Sequence, residues 1–227
     1  MIGSLFFEVE GVLAGTAALR RTALHRALAE EGLAPSDFAD THDDAEGGSR
    51  DAVRRALRHH PLSRDETALT LIAMRTDRHF ASLVQTGISL APGASELVMQ
   101  AIATCRLAIV TGLARATVDS VLALAELDGA FEVIIAAEDV ASAKPAPDAH
   151  RKAIERMTRR RQLDVRTALA LEPGAAGARA AHGAGLRCAV VAPYRAESIA
   201  DADAMLESLV GETVATLAAM LPVEAAG

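Results

Sequence analysis

Two glutamates follow an apolar run close to the start of the chain. Residues 5–7 (Leu-Phe-Phe) are followed by Glu8 and Glu10, with Val9 between them, and then by Gly-Val-Leu. Residues two apart in an extended chain share one face, so both carboxylates would point the same way. Such a pair suits a hard cation and acid/base or nucleophilic chemistry on a phosphate. Taken alone, the pair is also compatible with two solvated acids at a strand end.

The segments around this pair alternate between strand-like and helix-like patterns. Strands alternating with helices predict an α/β fold with a doubly wound parallel sheet, in which ligands bind at the carboxyl ends of the strands. The strand-like runs are Ser4–Val9, Leu107–Thr111, Phe131–Ala136, Thr167–Leu171 and Arg187–Val191. The helix-like segments of this region are Ala94–Ala103, Ala114–Leu124, Asp148–Met157 and Ala175–Gly183.

Residues 16–88 have helical periodicity without a clear strand. The helical segments are Leu19–Glu31, Ser49–His59 and Arg64–Gln85. A wholly helical stretch after the first strand predicts an inserted domain, and Pro92-Gly93 marks the return to the sheet. We therefore predict a Rossmann-like core of residues 1–15 plus 89–227 and an all-helical insertion of residues 16–88.

Composition restricts the function classes. The chain has 227 residues, 51% of them hydrophobic, and a formal net charge of −7, which argues against general nucleic-acid binding. Its apolar runs are too short for a membrane span, and the start of the sequence does not read as a signal peptide. Cys105 and Cys188 have no metal-binding spacing and predict reduced core thiols in a cytoplasmic protein. Arg159–Arg161, the one dense basic run, favours a solvated helix end or loop over a nucleic-acid patch.

Lysine is rare in this chain. Of 23 basic residues, only Lys144 and Lys152 are lysine. Lysine is a compact point charge whereas arginine is a planar fork, so a lysine in the stretch Lys-Pro-Ala-Pro favours a site that needs the compact ammonium. Chance placement is the alternative, because Lys152 lies in a plausible surface helix.

Four stretches of the sequence together resemble the haloacid dehalogenase (HAD) superfamily, in its β-phosphoglucomutase-like branch. Residues 7–13 resemble the first motif, Asp-x-Asp-Gly-Thr/Val-Leu, with glutamates in place of both aspartates. Residues 107–112 are similar to the second motif, a strand that ends in Thr or Ser, and residues 144–148 match the third, Lys-Pro-Ala-Pro-Asp. Residues 171–181 resemble the fourth, Phe-Glu-Asp-Ser-x-x-Gly-x-x-Ala-Ala, with proline at the aspartate position.

The resemblance implies a role for each matching residue. Glu8 stands at the position of the nucleophile that attacks phosphorus, and Glu10 at that of the acid/base. Thr111 would donate a hydrogen bond to the phosphoryl group, with Gly112 beside it, and Lys144 would neutralise its charge. The resemblance also implies Mg²⁺ ligands at Glu8, Glu10 (through its backbone carbonyl) and Glu172. It makes Arg50 of a helical cap a candidate substrate-binding residue, with an exposed arginine at the start of a helix as the alternative. Arg20, which departs from the pattern of the branch, either adds positive charge for the substrate or faces solvent. In that cap, Gly-Gly-Ser-Arg (residues 47–50) looks like the phosphate-gripping stretch of the branch; the hinges would be Ala14–Thr16 and Ile88–Gly93.

The departures from the family pattern fall on the chemistry. Each glutamate adds one methylene, about 1.5 Å of bond length, and a misplacement of about 1 Å can cost on the order of 100-fold in rate. Pro173 removes a carboxylate from the metal site, so Mg²⁺ binding is expected to be weak or absent. The polar residues that gate proton transfer in a mutase are replaced by the stretch Gly15–Arg20, which favours hydrolysis or binding over mutase activity.

Three functions remain open at this stage. The first is a phosphohydrolase of weakened activity that acts on a small phosphorylated metabolite. The second is a catalytically inactive HAD-fold protein that binds a phosphorylated ligand or a protein partner, and the third is a 2-haloacid dehalogenase. The expected partners are a small phosphorylated metabolite and neither nucleic acid nor membrane; the chain would be a monomer or a homodimer.

Overall fold

The computed structural model describes residues 1–38, 48–192 and 199–221. These residues divide into two compact units, one formed by Met1–Gly15 and Ser89–Gly227 and the other by Thr16–Ile88. Gly47, the first residue of the Gly-Gly-Ser-Arg stretch, lies outside the described residues.

The first unit is built on a six-stranded sheet in which every neighbouring pair of strands is parallel. Its spatial order is β3-β2-β1-β4-β5-β6, so the chain winds outward in both directions from β1 and β4. The predicted doubly wound α/β fold is confirmed. The strands are β1 (Ser4–Phe7), β2 (Arg106–Val110), β3 (Val133–Ile135), β4 (Ala168–Glu172), β5 (Arg187–Val191) and β6 (Ala204–Leu206).

Eight α-helices lie in the described part of the chain. In the second unit they are α1 (Ala17–Glu30), α2 (Ser49–Ala56) and α3 (Glu66–Gln85). In the first unit they are α4 (Ala94–Ala101), α5 (Arg115–Leu124), α6 (Asp148–Arg160), α7 (Ala175–Gly183) and α8 (Val214–Met220).

The central strands are buried on both faces, as parallel strands covered by helices must be. All residues of β1 and β4 are buried, and they are mainly Leu, Phe and Ala. On one face of the sheet, Phe6 packs in a cluster with small residues of α6 and α7, such as Ala153 and Ala181. This packing holds the backbone rigidly up to the strand ends, where the polar residues begin.

The sequence patterns missed two short elements near the end of the chain. Strand β6 has three residues and only Leu206 among them is buried, so it has no apolar run to mark it. Helix α8 has seven residues and begins after Thr213, whose side chain accepts a hydrogen bond from the amide of Thr216. Elements this short depend on packing against the sheet and not on their own periodicity.

Cys105 and Cys188 are both buried free thiols, in agreement with the predicted core positions. The thiol of Cys105 donates to the carbonyl of Ile2. Burial raises the pKa of both thiols.

Two predicted hinge segments lie side by side in the first unit. Ala14 and Leu90 form an isolated antiparallel bridge, and the amide of Gly15 donates to the carbonyl of Ser89 at 3.0 Å. The amide of Ala91 donates to the carbonyl of Leu13 at 2.9 Å. These bonds hold the two segments together within the first unit. The helical unit has its own apolar cluster, which includes Leu28, Leu57 and Ile72.

Helix α2 ends three residues before the predicted His59, and α6 ends three residues after the predicted Met157. Arg159 and Arg160 form the last turn of α6, and the carbonyl of Arg161 accepts a hydrogen bond from Arg106. The basic run is therefore a helix end, where positive charge complements the helix dipole. None of the described helices has both the length and the apolar character needed to cross a membrane.

Candidate active site

The parallel register places three polar side chains at neighbouring strand ends. Phe7 at the end of β1 pairs with Ile109 of β2 and Leu171 of β4, so the next residues of these strands adjoin. Glu8 follows β1, Thr111 follows β2 and Glu172 is the last residue of β4. The sheet reverses its winding direction between β1 and β4, which is where open α/β sheets bind ligands.

Lys144 joins the two carboxylates of this edge. Its Nζ lies 2.8 Å from Oε2 of Glu8 and 2.7 Å from both Oε1 and Oε2 of Glu172. It also donates to the carbonyl of Val110 at 3.0 Å. The side chain of Lys144 is 15% exposed, against 8% for Glu8 and 1% for Glu172. The three groups form a buried cluster with two acids and one base.

The carboxylate of Glu8 folds back over the chain that follows it. Its Oε1 accepts hydrogen bonds from the amide of Val9 at 2.8 Å, from the amide of Glu10 at 3.3 Å and from the hydroxyl of Thr111. Thr111 in turn accepts from the amide of Leu113 at 3.2 Å, which orients its hydroxyl toward Glu8.

The carboxylate of Glu172 lies between Gly177 and His150. A Cβ at Gly177, in the first turns of α7, would come within 2.0 Å of Oε2 of Glu172, so only glycine leaves room for the carboxylate. On the other side, Nε2 of His150 lies 3.0 Å from Oε1 of Glu172. His150 is fully buried, and Nδ1 of its ring has no hydrogen-bond partner among the described residues.

The ionisable groups of the cluster shift one another's pKa values. Burial raises the pKa of Glu8, and the carboxylate of Glu172 raises it further, against the opposing charge of Lys144. Burial also disfavours ionised Glu172, but the ammonium of Lys144 and the neighbouring His150 together outweigh it and lower the pKa of that carboxyl. Burial would lower the pKa of Lys144, yet the two carboxylates raise it, so the ammonium stays charged. Burial lowers the pKa of His150, which keeps its ring neutral.

These residues do not fit a magnesium ion as they are arranged. Every oxygen of Glu8 and Glu172 already accepts a hydrogen bond, mostly from the ammonium that lies between them. Pro173, the next residue, offers neither a carboxylate nor an amide donor. Within residues 1–38, 48–192 and 199–221, no group of three or more acidic, histidine or cysteine side chains could hold a metal ion.

Glu10 and Gly112, the other two predicted site residues of the first unit, closely follow Glu8 and Thr111 in the chain. Glu10 is buried, and its amide donates to Glu8; the short loop after it packs Gly11, at φ +77°, against Pro173. A side chain at Gly11 would be strained by its φ and would press on that proline at 2.9 Å. Gly112 is exposed, and a Cβ there would meet open space, so the backbone after Thr111 is accessible.

The two predicted cap residues lie in the helical unit, each with partners there. Arg50 is half-exposed and pairs with Glu66. Arg20 donates to Oγ of Ser49 at 3.1 Å and lies over the ring of Phe80, with its guanidinium carbon 4.7 Å from the ring centroid. The arrangement gives Arg20 a fixed position and gives Arg50 an ion pair on the surface.

The sequence patterns missed His150 and Gly177 as neighbours of the site. His150 lies two residues after the Lys-Pro-Ala-Pro-Asp stretch, on the buried face of helix α6. A histidine among the apolar residues of that face was the sequence signal that could have indicated it. Asp139, which precedes Lys144 by five residues, takes no part in the cluster: its carboxylate accepts hydrogen bonds from the amide of Ala136 and the side chain of Arg156.

This fold and this set of strand-end residues define a class of protein. The chain belongs to the haloacid dehalogenase-like hydrolase family, whose sequence model matches residues 5–191. The family resemblance drawn from the four motifs is confirmed.

Among its relatives is Protein CbbY of Cereibacter sphaeroides. The two are 34% identical over 223 residues, which cover 92% of this chain and 93% of the relative. Protein CbbY of Rhodobacter capsulatus is 33% identical over 192 residues, covering 81% of this chain and 82% of the relative.

Solved structures agree in fold. CbbY from Rhodobacter sphaeroides in complex with phosphate has a TM-score of 0.76 and 31% identity, and covers 96% of this chain and 100% of that one. A mutant of the same protein, in complex with xylulose-(1,5)bisphosphate, has a TM-score of 0.77 with 31% identity over 98% of this chain and 100% of that one. β-Phosphoglucomutase from Clostridium difficile has a TM-score of 0.79 at 17% identity, covers 97% of each chain, and shares the fold.

Proposed function

We propose that this chain is a phosphohydrolase of slow turnover that acts on a small phosphorylated metabolite of the sugar-phosphate class. The observation that supports this most is the convergence of Glu8, Thr111 and Lys144 at the carboxyl ends of β1 and β2. A carboxylate nucleophile, a hydroxyl donor and a fixed cation are what phosphoryl transfer needs for positioning and charge stabilisation. The phosphate and xylulose-(1,5)bisphosphate bound by the CbbY structures support the substrate class.

In the proposed reaction, a carboxylate oxygen of Glu8 attacks phosphorus in line with the leaving oxygen. The bond between phosphorus and the leaving oxygen breaks, and Glu10 gives its proton to that leaving oxygen, which departs as an alcohol. A water molecule then loses a proton to Glu10 and attacks the acyl phosphate, which releases inorganic phosphate and restores Glu8. Thr111 and Lys144 hold the phosphoryl oxygens throughout, and Arg20 and Arg50 are the proposed contacts for the rest of the substrate.

We propose that Mg²⁺ contributes little to this site, with binding weak or absent. Family members with aspartates at these positions are expected to use the ion to offset phosphoryl charge. Here Pro173 removes one ligand, and the ammonium of Lys144 already bonds the oxygens that would face the ion. The extra methylene of Glu8 and of Glu10 displaces both reacting groups by up to about 1.5 Å, which lowers turnover on the order of 100-fold or more.

A second candidate is a protein that binds a phosphorylated ligand, or a protein partner, without turnover. The replacement of three aspartates at once, two by glutamate and one by Pro173, favours it. A 2-haloacid dehalogenase has less support, because the relatives with bound ligands hold phosphate compounds.

Phosphate release from a panel of sugar phosphates and bisphosphates, with and without Mg²⁺, tests the proposal. We expect low activity from the wild type and a rise of about 100-fold in the variant Glu8→Asp/Glu10→Asp/Pro173→Asp, because nucleophile, proton carrier and metal ligand act as a unit. Glu155→Asp, on the exposed face of α6, is the matched control and should change nothing.

The outcomes separate the candidates. If the wild type turns over efficiently and Glu8→Gln abolishes that activity, the longer glutamate side chains do not lower the turnover rate. No release by either the wild type or the triple variant, together with binding of phosphate, would favour the non-catalytic candidate. Failure of every variant to bind or release phosphate would reject the phosphate assignment.

A further inference from the structure

Four hydrogen-bond donors converge at one point beyond the ends of β1 and β2. They are the backbone amides of Val9 and Glu10, the hydroxyl of Thr111 and the ammonium of Lys144. Successive amides that point the same way, with a hydroxyl and a cation beside them, make an oxyanion-binding site. A tetrahedral oxyanion would satisfy all four at once.

The occupant of this site is the carboxylate of Glu8 itself. Its Oε1 accepts from the two amides and from Thr111, and its Oε2 accepts from Lys144. Three of these donors therefore meet at one carboxylate oxygen and the fourth at the other. Glu8 is 6% exposed, so its carboxylate occupies this place away from solvent.

The length of the side chain makes this possible. Glutamate reaches about 1.5 Å further than aspartate, enough to turn back over its own following amides while still touching Lys144 and Thr111. An aspartate at this position would draw the carboxylate back by that distance and lengthen the 2.8 Å contact with Lys144 beyond hydrogen-bond range.

We propose that Glu8 is an internal occupant of the oxyanion site and that it inhibits binding of phosphate compounds until it swings out. This inference rests on the proposed function, because it concerns the site that would hold the phosphoryl group. A tetrahedral oxyanion competes with Glu8 for the same donors, so only the fraction of molecules in which Glu8 is withdrawn binds it. The apparent dissociation constant is the intrinsic one divided by that fraction.

Binding of inorganic phosphate, followed by calorimetry in the absence of Mg²⁺, tests the proposal in the wild type, Glu8→Gln and Glu8→Ala. Both variants remove the charge, but glutamine keeps the length and can leave its amide oxygen among the donors. We expect Glu8→Ala to bind phosphate about 10- to 100-fold more tightly than the wild type and at least about 10-fold more tightly than Glu8→Gln. Glu8→Ser is a second short neutral variant, with the same expectation, should alanine impair folding.

Two further variants identify the site. Thr111→Val in the Glu8→Ala background should lose most of the gained affinity, since it removes one of the four donors. Glu155→Asp is the control and should bind phosphate as the wild type does. Loss of the gain in the double variant would tie the new affinity to the donors that Glu8 occupies.

Other outcomes would overturn the inference. Equal affinity in Glu8→Gln and Glu8→Ala would mean that charge, and not occupation of the donors, controls binding. Wild-type affinity equal to that of Glu8→Ala would reject self-occupation while leaving the proposed phosphate site intact. An absence of phosphate binding in every variant would reject both, and so distinguishes failure of the proposed function from failure of this inference.

Discussion

Replacement of Lys144 by methionine should destabilise the protein strongly and in a pH-dependent way. The ammonium bonds three carboxylate oxygens of Glu8 and Glu172, at 2.7 to 2.8 Å, in a place where the acids are at most 8% exposed. Removal of one partner of a buried ion pair leaves an uncompensated charge and costs about 3–5 kcal/mol. Methionine has a similar length, so the loss reflects the charge more than the packing.

The sign of the pH dependence follows from the two carboxyls. In the wild type, Lys144 lowers the pKa of Glu172, so that group contributes stability above its unfolded value, and the contribution is lost as the pH falls through the folded pKa. Without Lys144, burial and mutual repulsion raise the pKa of both Glu8 and Glu172. An acid whose folded pKa is raised costs stability above that pKa and ceases to do so when it takes a proton. The deficit of Lys144→Met should therefore be largest near pH 8 and shrink toward pH 5.

Urea denaturation at pH 8 and at pH 5.5 measures this difference, with Lys152→Met as the control. Lys152, the other lysine, lies on α6 and donates to the carbonyl of Asp139, so its loss leaves no buried carboxylate unpaired. For a chain of this size, about 3–5 kcal/mol corresponds to a fall in Tm of about 6–20 °C. The double variant Lys144→Met/Glu172→Gln should recover part of the loss, because one of the two unpaired charges is gone.

A loss of less than about 1 kcal/mol at pH 8, or a loss that is the same at both pH values, would contradict the assigned role of Lys144. The first result would mean that the cluster is hydrated in solution. The second would mean that the defect is one of packing and not of charge.

Two other perturbations test the surroundings of Glu172. Gly177→Ala places a Cβ within 2.0 Å of Oε2 of Glu172, and we expect a loss of about 1–3 kcal/mol in urea denaturation, whereas Gly112→Ala, which meets open space, should lose little; equal losses would contradict the assigned contact. His150→Leu should reduce the sensitivity of the protein to mild acid. Burial lowers the folded pKa of His150 below its unfolded value of about 6.5, so the wild type loses stability as the pH falls below that value, because the unfolded chain takes the proton first. A urea midpoint that falls equally in wild type and His150→Leu between pH 7 and pH 5 would assign the acid sensitivity to other groups.

The sequence predicted the elements of the sheet core well because their signals are local. Strand β5 and helix α7 begin and end at the predicted residues, and β1, β2 and β4 differ from the prediction by one or two residues at their ends. Apolar runs mark strands that are buried on both faces, and Gly174 and Gly177 mark the turn and first turns of α7. Strand β6 was not predicted, since a short edge strand that is half-exposed lacks such a run.

For the candidate site, the sequence alone determined which chemical groups arrive at the strand ends. All strands of a parallel sheet end at the same edge, so a residue that follows each strand lies at that common edge. Side-chain conformation is decided elsewhere. Only the tertiary structure shows that Lys144 bonds two carboxylates and that His150 lies against Glu172, because these contacts join residues far apart in the chain. It also shows that Glu8 turns back onto the amides that follow it, because no local sequence pattern specifies the side-chain torsions of Glu8.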